Sequence, residues 1–264
     1  MKLTADEIAL AREVKFDEEV CLLVKSQAKK KLERLQENYD YGSLRPGPGI
    51  SVAVKDGEEA EQLMNALRDP LSKCGYRAFW SVLRTSNGFE RNNEVAILKT
   101  DDPYVMIKIR QSDGANIDVS TDDIIHRLDE WKKLCDFDVV GASNDWVALQ
   151  FSRLPKDLLR FSEEVYLLCP DAVGQGVGFK YRNDDRRIAE ARRLFPQPLS
   201  ERIRKKIAED STDFGDVADL PPGLADMLGG LGDFGDALLN EVDTGIRLLA
   251  YEIHQTKYLM LWWD

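Results

Sequence analysis

The sequence lacks the features that mark secreted, disulfide-bonded and membrane-spanning proteins. Its four cysteines, Cys21, Cys74, Cys135 and Cys169, lie far apart and form no CxxC pair, and no apolar signal segment follows Met1. Isolated thiols of this kind are typical of a reducing compartment, so we predict a cytoplasmic protein. No apolar run approaches the roughly 20 residues that a bilayer-spanning helix needs. We therefore expect no membrane partner.

Signatures of nucleotide binding and catalysis are also lacking. No stretch resembles GxxxxGKS or a strand-linked GxGxxG, and the only histidines are His126 and His254. We therefore predict neither a cofactor nor a bound metal. The formal net charge of −11 argues against a nucleic-acid partner, because proteins that bind nucleic acids usually carry a basic face. A surplus of acidic residues favours a basic protein partner instead.

Basic residues are missing from one long internal stretch. No Lys or Arg occurs between Ile207 and Ile246, whereas Asp or Glu occurs at ten positions there. Two DFG triplets, at residues 213–215 and 233–235, follow no glycine-rich ATP loop or HRD segment, so they are not a kinase signature. The preceding segment is charged and helix-prone. We therefore predict an inserted, charged and glycine-rich lobe over residues 181–240.

Hydrophobic periodicity predicts the regular elements of the rest of the chain. A capping box at Thr4 and Glu7 begins a helix that extends to Asn38. Residues 39–49 contain two prolines and three glycines and are predicted as a loop. The remaining elements are strands at 50–54, 76–83, 94–99, 104–110, 137–142, 146–151 and 258–263, and helices at 58–73, 121–134, 158–168 and 245–255.

These elements predict an α+β fold, with helices packed on one face of an antiparallel or mixed sheet. From residue 104 onward, the order β-α-β-β-α-β is close to a ferredoxin-like sandwich, with the apolar last strand in the sheet interior. Residues 50–99 give β-α-β-β, which either repeats half of that unit or extends its sheet. We expect residues 1–45 to form a helical N-terminal extension and loop, and residues 46–180 and 241–264 to form the α+β core.

Polar side chains cluster in the stretch DGANIDVSTDD, at residues 113–123, and in the hairpin that follows it. The candidate site residues in this part of the chain are Asn116, Asp118, Asp122, Asp145 and Trp146. Ser120 or Thr121 is expected to cap the next helix, and carboxylates in its first turn are favoured by the helix dipole. A divalent-cation site is the alternative interpretation, although no ligand-spacing template fits.

A second group of candidates lies between the helix FSEEVYLL and the end of the chain. Its members are Glu164, Cys169, Asp171, Gln175, Gly176, Trp263 and Asp264. In one interpretation Asp171 ties a turn, Asp264 meets a helix end or an arginine, and the tryptophans anchor the C-terminus in the core. In the other, the group lines a ligand pocket, with Asn116, Asp118 and Trp146 opposite. Cys169 as a nucleophile would need a base, and no motif places a histidine beside it.

Four blocks of the sequence, taken together, are more specific than any single motif. They are GANIDVSTDDII, the hairpin residues Gly141-Ala142 and Asp145-Trp146-Val147, EVYLLCPDAVGQGVG, and the terminal LWWD. From about Glu94 to Asp264 the chain thereby resembles a bacterial family, the domain of unknown function 4253, whose first block has an aromatic residue in place of Ile117. In that family the QG turn leads within a few residues into the last helix, whereas here residues 180–241 intervene. The resemblance implies a shared fold and site, and no activity.

Two functions of different class fit these features. The first is a non-catalytic protein-interaction module, similar to an immunity protein or antitoxin, in which the acidic residues 207–243 attract a basic partner. The alternative is a carboxylate-dependent hydrolase or transferase that acts on a small molecule, with Asp118, Glu164 and Asp171 as acids or metal ligands. We favour the first, because no catalytic triad, metal template or phosphate loop is recognisable.

Overall fold

The computed structural model describes residues 1–39, 43–84, 91–213 and 234–263. Its helices are α1 (Ala5–Glu13), α2 (Glu18–Ala28), α3 (Gly57–Ser72), α4 (Val105–Arg110), α5 (Thr121–Lys132), α6 (Leu158–Leu168), α7 (Phe179–Tyr181), α8 (Asp185–Leu194), α9 (Glu201–Asp213) and α10 (Phe234–Thr256). Its strands are β1 (Glu33–Tyr39), β2 (Ser43–Ala53), β3 (Tyr76–Arg84), β4 (Arg91–Lys99), β5 (Asp136–Ser143), β6 (Trp146–Arg153) and β7 (Tyr258–Trp262). None of these helices is both long enough and apolar enough to cross a bilayer.

The seven strands form one mixed sheet in the order β1-β2-β4-β3-β5-β6-β7. The pairs β1/β2, β2/β4 and β3/β4 are antiparallel, whereas β3 and β5 run parallel, with Trp80 opposite Gly141. The prediction of an α+β fold with a mixed sheet is therefore confirmed. The prediction that the last strand is interior is wrong, because β7 is the last strand in this order, beside β6.

The region predicted as the end of the first helix and the following loop is instead a strand pair. The capping box at Thr4 is present, but α2 ends where Lys29 adopts a left-handed conformation with φ 55°. β1 and β2 follow, and β2 contains Pro46 and Pro48. Proline is tolerated there because β2 pairs with β4 only from Ile50 to Ala53, which leaves the proline-bearing half with one neighbouring strand.

The segment YVMIKIR, predicted as a strand, forms the helix α4. Its alternating pattern is misleading because it treats Arg110 as an exposed residue, whereas Arg110 is buried together with Met106, Ile107 and Ile109. Buried positions at 106, 107, 109 and 110 follow the spacing of a helix. Two helices, α4 and α5, therefore precede β5, and the ferredoxin-like order is not confirmed.

The chain divides by its internal contacts into two compact units. The first comprises residues 1–130 and 137–150, and the second comprises residues 131–136 and 151–264. This division is defined by contacts within the chain and does not test the predicted domains. The division into an N-terminal extension, an α+β core and an inserted lobe therefore stays a prediction. Residues 214–233 of the inserted lobe lie outside the described residues, and they include two residues of the first DFG triplet and one of the second.

The first unit contains a continuous apolar core between α1, α2 and α3 and one face of β2, β3 and β4. α3 contributes Leu63, Leu67 and Leu71, and the strands contribute Val95 and Ile97, all of them buried. Side chains alternate between the two faces of a strand. The register partners Ser81 and Glu94, which are next in sequence to Trp80 and Val95, therefore lie on the other face.

The helix α4 packs on that second face and is fixed there by Arg110, whose side chain is fully buried. Its Nε donates to Ser81 Oγ at 2.6 Å, and its Nη1 donates to the Gln36 carbonyl at 2.5 Å. Its Nη2 donates to the carboxylate of Glu94, which is also buried. One guanidinium thus joins α4 to β1, β3 and β4. Helices in this unit cover both faces of the sheet rather than the single face that the sequence predicts.

We expect Arg110→Met to destabilise the protein strongly at neutral pH. Breaking a buried ion pair leaves an uncompensated charge, here Glu94, and typically costs about 3–5 kcal/mol. The double variant Arg110→Met, Glu94→Met is expected to lose less, since no buried charge remains. Urea denaturation at pH 7 measures the free energies of unfolding.

A pH series distinguishes this electrostatic cost from lost packing. Burial raises the pKa of Glu94, and Arg110 opposes that shift. Without Arg110 the folded-state pKa lies still further above the unfolded value, so the penalty is present at neutral pH and is relieved as the pH falls through the raised pKa. If the loss of unfolding free energy in Arg110→Met, relative to the parent protein, stays constant from pH 7 to pH 5, then the charge of Glu94 is not its cause.

Candidate functional site

Asn116, Asp118 and Asp122, of the first group of candidate residues, lie in the segment that leads from α4 into the first turn of α5, and hydrogen bonds hold its backbone. Gly114 and Val119 exchange two backbone hydrogen bonds of 2.8 and 3.1 Å. The Asp113 N–H donates to the Asn144 carbonyl at 2.8 Å, in the turn between β5 and β6. Thr121 Oγ1 donates to the Ser112 carbonyl at 2.9 Å. We call residues 113–123 the acidic loop.

The acidic loop directs most of its polar side chains into solvent. Asn116, Asp118 and Asp122 are exposed, and so is 40% of the apolar Ile117. Asp118 has a left-handed backbone conformation with φ 57°. Exposed carboxylates on a fixed backbone, with one apolar side chain among them, form a surface suited to a macromolecular partner.

Neighbouring groups explain the shifted pKa values of two carboxylates in this region, Asp123 and Asp113. Ser120 caps α5, because the Asp123 N–H donates to its Oγ at 3.2 Å and the Ser120 N–H donates back to Asp123 at 3.0 Å. The Ser120 hydroxyl also donates to the Asp123 carboxylate, and this bond, together with the one from the Ser120 N–H, lowers the pKa of Asp123. At the other end of the loop, partial burial raises the pKa of Asp113, and the nearby charge of Asp145 raises it further. Capping by Ser120, the structural interpretation, is therefore confirmed.

Trp146 is buried and packs against another aromatic ring of the first unit. The ring centroids of Trp146 and Trp80 are 4.6 Å apart. Gly141 permits this approach, because a Cβ at that position would lie 2.7 Å from the Trp80 carbonyl and 3.0 Å from the Trp146 ring. These hairpin residues are thus held by packing, and Trp146 supports the base of the turn that receives the acidic loop.

In the second unit, Cys169 is bound to the backbone of the last strand. Its thiol donates to the Trp262 carbonyl at 2.9 Å and accepts from the Trp262 N–H at 3.2 Å. Burial raises the pKa of the Cys169 thiol to about 12. Since the thiolate is the nucleophilic form of cysteine, this environment suits a structural role and not attack on a substrate.

The indole of Trp263 provides a second link between β7 and the end of α6. It is 2% exposed, and its Nε1 donates to the Leu168 carbonyl at 3.1 Å. Carbonyl groups in the last turn of a helix lack partners within the helix, so this bond satisfies one of them. Asp264 lies outside the described residues.

The other candidates of the second unit are engaged with neighbouring side chains. Gln175 Nε2 donates to Asp171 Oδ1 at 3.1 Å, across the π-helical turn Val173–Gly178, which also contains Gly176. Glu164 accepts a 2.8 Å hydrogen bond from Arg202 of α9. Asp171 thus ties a turn, as the structural interpretation proposes, and Glu164 is part of a helix–helix ion pair.

The candidates therefore fall into two sets, one in each unit. Among the residues described, no group of three or more His, Cys, Asp or Glu side chains has an arrangement that could hold a metal ion. Neither set, considered within its own unit, brings together a nucleophile and a base. The interaction role stays a prediction, and the exposed acidic loop is its strongest support.

The sequence did not single out a polar cleft of about 490 Å³ in the first unit. Its polar lining includes Glu33, Arg34, Ser51, Lys55, Asn92 and Glu94. β1 comes from a segment predicted as helix and the first half of β2 from a segment predicted as loop, whereas the lining residues Ser51 and Ala53 fall in the strand predicted at 50–54. One signal was available, because a carboxylate at the start of an apolar strand, such as Glu94, needs a buried partner.

We expect Trp263→Ala to destabilise the protein by about 3–5 kcal/mol, the typical cost of truncating a buried aromatic residue. Thermal unfolding followed by circular dichroism measures the shift. Phe179→Ala is the matched control, because Phe179 is an aromatic residue of the same unit that is 69% exposed. If both variants melt within a few degrees of the parent, the C-terminal tryptophan does not contribute to the core.

Comparison with known proteins adds one match to this geometry. A family model described as "Domain of unknown function (DUF4253)" matches residues 94–264, which include the acidic loop, the β5–β6 hairpin and the contacts of Cys169 and Trp263. Searches of curated proteins and of solved structures find no match. Because the matched residues make up more than half of the chain, this protein belongs to the DUF4253 family.

Proposed function

We propose that this protein is a non-catalytic interaction module that binds a basic protein through the acidic loop. The single observation that carries the proposal is the exposure of Asn116, Asp118 and Asp122 on a backbone fixed by hydrogen bonds at both ends. The acidic residues 207–243 were the surface first expected to attract such a partner. They lie largely outside the described residues, so the proposal rests on the loop.

Rigidity is the first argument for a binding surface. Ordering a flexible loop on association reduces affinity, whereas a loop that is already ordered avoids this cost. The acidic loop is bound to the β5–β6 turn through Asp113 and closed by the Gly114–Val119 pair. Its carboxylates therefore keep one arrangement before any partner arrives.

Charge and shape supply the second argument. The loop carries Asp113, Asp118, Asp122 and Asp123 with no Lys or Arg in the interval, within a chain of net charge −11. Such a surface steers a basic partner and excludes acidic ones. Ile117 provides an apolar centre within the polar rim, which is the usual arrangement of a protein–protein interface.

The enzyme alternative has less support from its proposed acids. Glu164 is paired with Arg202 and Asp171 accepts from Gln175, so both carboxylates are engaged with side chains of the second unit. Asp118 belongs to the first unit and is exposed.

A bacterial cytoplasm is part of the proposal, supported by four free cysteines, of which Cys74 alone is exposed.

Affinity capture from cell extract, followed by binding measurements with the purified partner, tests the proposal. We expect the partner to be basic and its affinity to fall as salt is raised, because exposed charges are screened. The double variant Asp118→Lys, Asp122→Lys should bind at least about tenfold more weakly, since it places like charges opposite the partner. Ile117→Ala should weaken binding with little change in salt dependence.

The control is a second charge reversal of equal size, Glu61→Lys with Asp69→Lys, at exposed positions on α3. It changes the net charge as much as the loop variant does and leaves the loop intact. Equal loss of binding in both double variants would contradict the assigned surface. A captured partner that is acidic, or binding unaffected by salt, would contradict the proposal itself.

A further inference from the structure

The polar cleft follows β2 on the face that also carries Arg110. Glu33 lies opposite Ser51 in the β1/β2 register, and Glu94 lies opposite Ala53 in the β2/β4 register. The ladder continues one step further, because the Val54 N–H donates to the Asn93 carbonyl at 2.9 Å. Glu33 therefore stands near one end of the cleft, Glu94 lies in the middle, and Lys55 lies at the other end.

The floor of the cleft is a buried charged group that is already oriented. Glu94 is 7% exposed, and it is held by Arg110 and by a hydrogen bond with the side chain of Ser51. A carboxylate has about four sites for accepting hydrogen bonds, so these two partners leave capacity for a ligand. Preoriented buried polar groups of this kind fix the orientation of small molecules in binding sites.

The two ends of the cleft carry opposite charges that a ligand can reach. The Lys55 ammonium is 3.5 Å from Asp56 and the Glu33 carboxylate is 3.7 Å from Lys31; Lys31, Glu33 and Lys55 are exposed, and the Asp56 side chain is about half exposed. Such exposed pairs contribute little stability and are readily exchanged for other partners. Arg34, by contrast, is engaged with Glu13 and the Gly47 carbonyl.

The spacing of these ends limits the size of the ligand. Ser51 and Lys55 are four residues apart, with Lys55 two residues beyond the end of β2, so they are separated by at most roughly 13 Å at the rise of a β-strand. The side chains of Glu33 and Lys55 are long enough to reach across part of this gap towards a ligand. An extended tripeptide spans roughly 10 Å from its amino group to its carboxylate. The apolar lining residues Ala53, Val54 and Leu83 offer a surface for aliphatic side chains.

We propose that the polar cleft binds a short peptide of two or three residues with free termini. The ammonium group pairs with Glu33 and approaches Glu94, the carboxylate pairs with Lys55, and an aliphatic side chain lies on the apolar strip. The exposed Asn92 is placed to bond the peptide backbone. This site shares no residue with the acidic loop, so it stands or fails independently of the proposed protein partner.

Calorimetry with trialanine and Ala-Leu-Ala tests the charge requirement directly. Each peptide is compared in four forms: free, N-acetylated, C-amidated, and blocked at both ends. We expect each blocking group to weaken binding several-fold, the effect of losing one exposed charge pair. Ala-Leu-Ala should bind more tightly than trialanine, because its leucine contacts the apolar strip.

Variants at exposed positions assign the ends without disturbing the fold. Glu33→Gln should weaken binding of the free peptide several-fold and leave binding of the N-acetylated peptide unchanged. Lys55→Gln should likewise weaken binding of the free peptide and leave binding of the C-amidated peptide unchanged. The matched controls are Glu61→Gln and Lys73→Gln, both exposed on or beside α3. They should bind like the parent protein.

Three results would overturn the proposal. The first is an absence of saturable binding by the free peptides at millimolar concentration. The second is equal binding of free and doubly blocked peptides, which would remove the requirement for charged termini. The third is an equal effect of the cleft variants and their controls. Circular dichroism of each variant verifies that it is folded, so each of these results counts against the site itself.

Discussion

The first unit depends on one buried cation. Arg110 lies at the end of α4 with its guanidinium fully removed from solvent, and it is satisfied only because Ser81, Gln36 and Glu94 come from three different strands. A buried charge without such partners is very costly, so the position of α4 and the pairing of these strands are mutually dependent. Both surfaces proposed for binding begin at this pair: the acidic loop starts three residues after Arg110, and Glu94 forms the floor of the polar cleft.

The most recognisable residues of the DUF4253 match have structural roles in this chain. Cys169 and Trp263 hold the last strand to the end of α6, and Gly141 allows Trp146 to pack on Trp80. Large apolar side chains and buried thiols are distinctive in a sequence, yet their contacts here are with the protein itself. The function is therefore better sought in the exposed polar residues that this framework holds in place.

The two proposed surfaces differ in the kind of ligand that their physics suits. The acidic loop is exposed, carries charge of one sign and surrounds Ile117, which favours a large basic partner attracted over a distance. The polar cleft is concave and carries both signs at separated points, with a preoriented carboxylate beneath, which favours a small molecule with charged ends. Neither proposal involves a reactive nucleophile, and both are proposals of binding.

By itself, the sequence determined the α+β class and the elements whose periodicity is unambiguous, including α3, α5, α6, the β5–β6 hairpin and β7. It also indicated the turn at Gly114 and the cap of α5, because helix capping and turn residues act over a few neighbouring positions, whereas the exposure of the acidic loop came from the structure. Only the tertiary structure decided that YVMIKIR is a helix, that a segment with Pro46 and Pro48 is a strand, and that a polar cleft exists. The physical reason is that a local hydrophobic pattern indicates only which types of side chain are usually buried. The buried Arg110 is instead stabilised by partners far away in the chain, such as Gln36 and Ser81, and the proline-bearing strand by its pairing with β1.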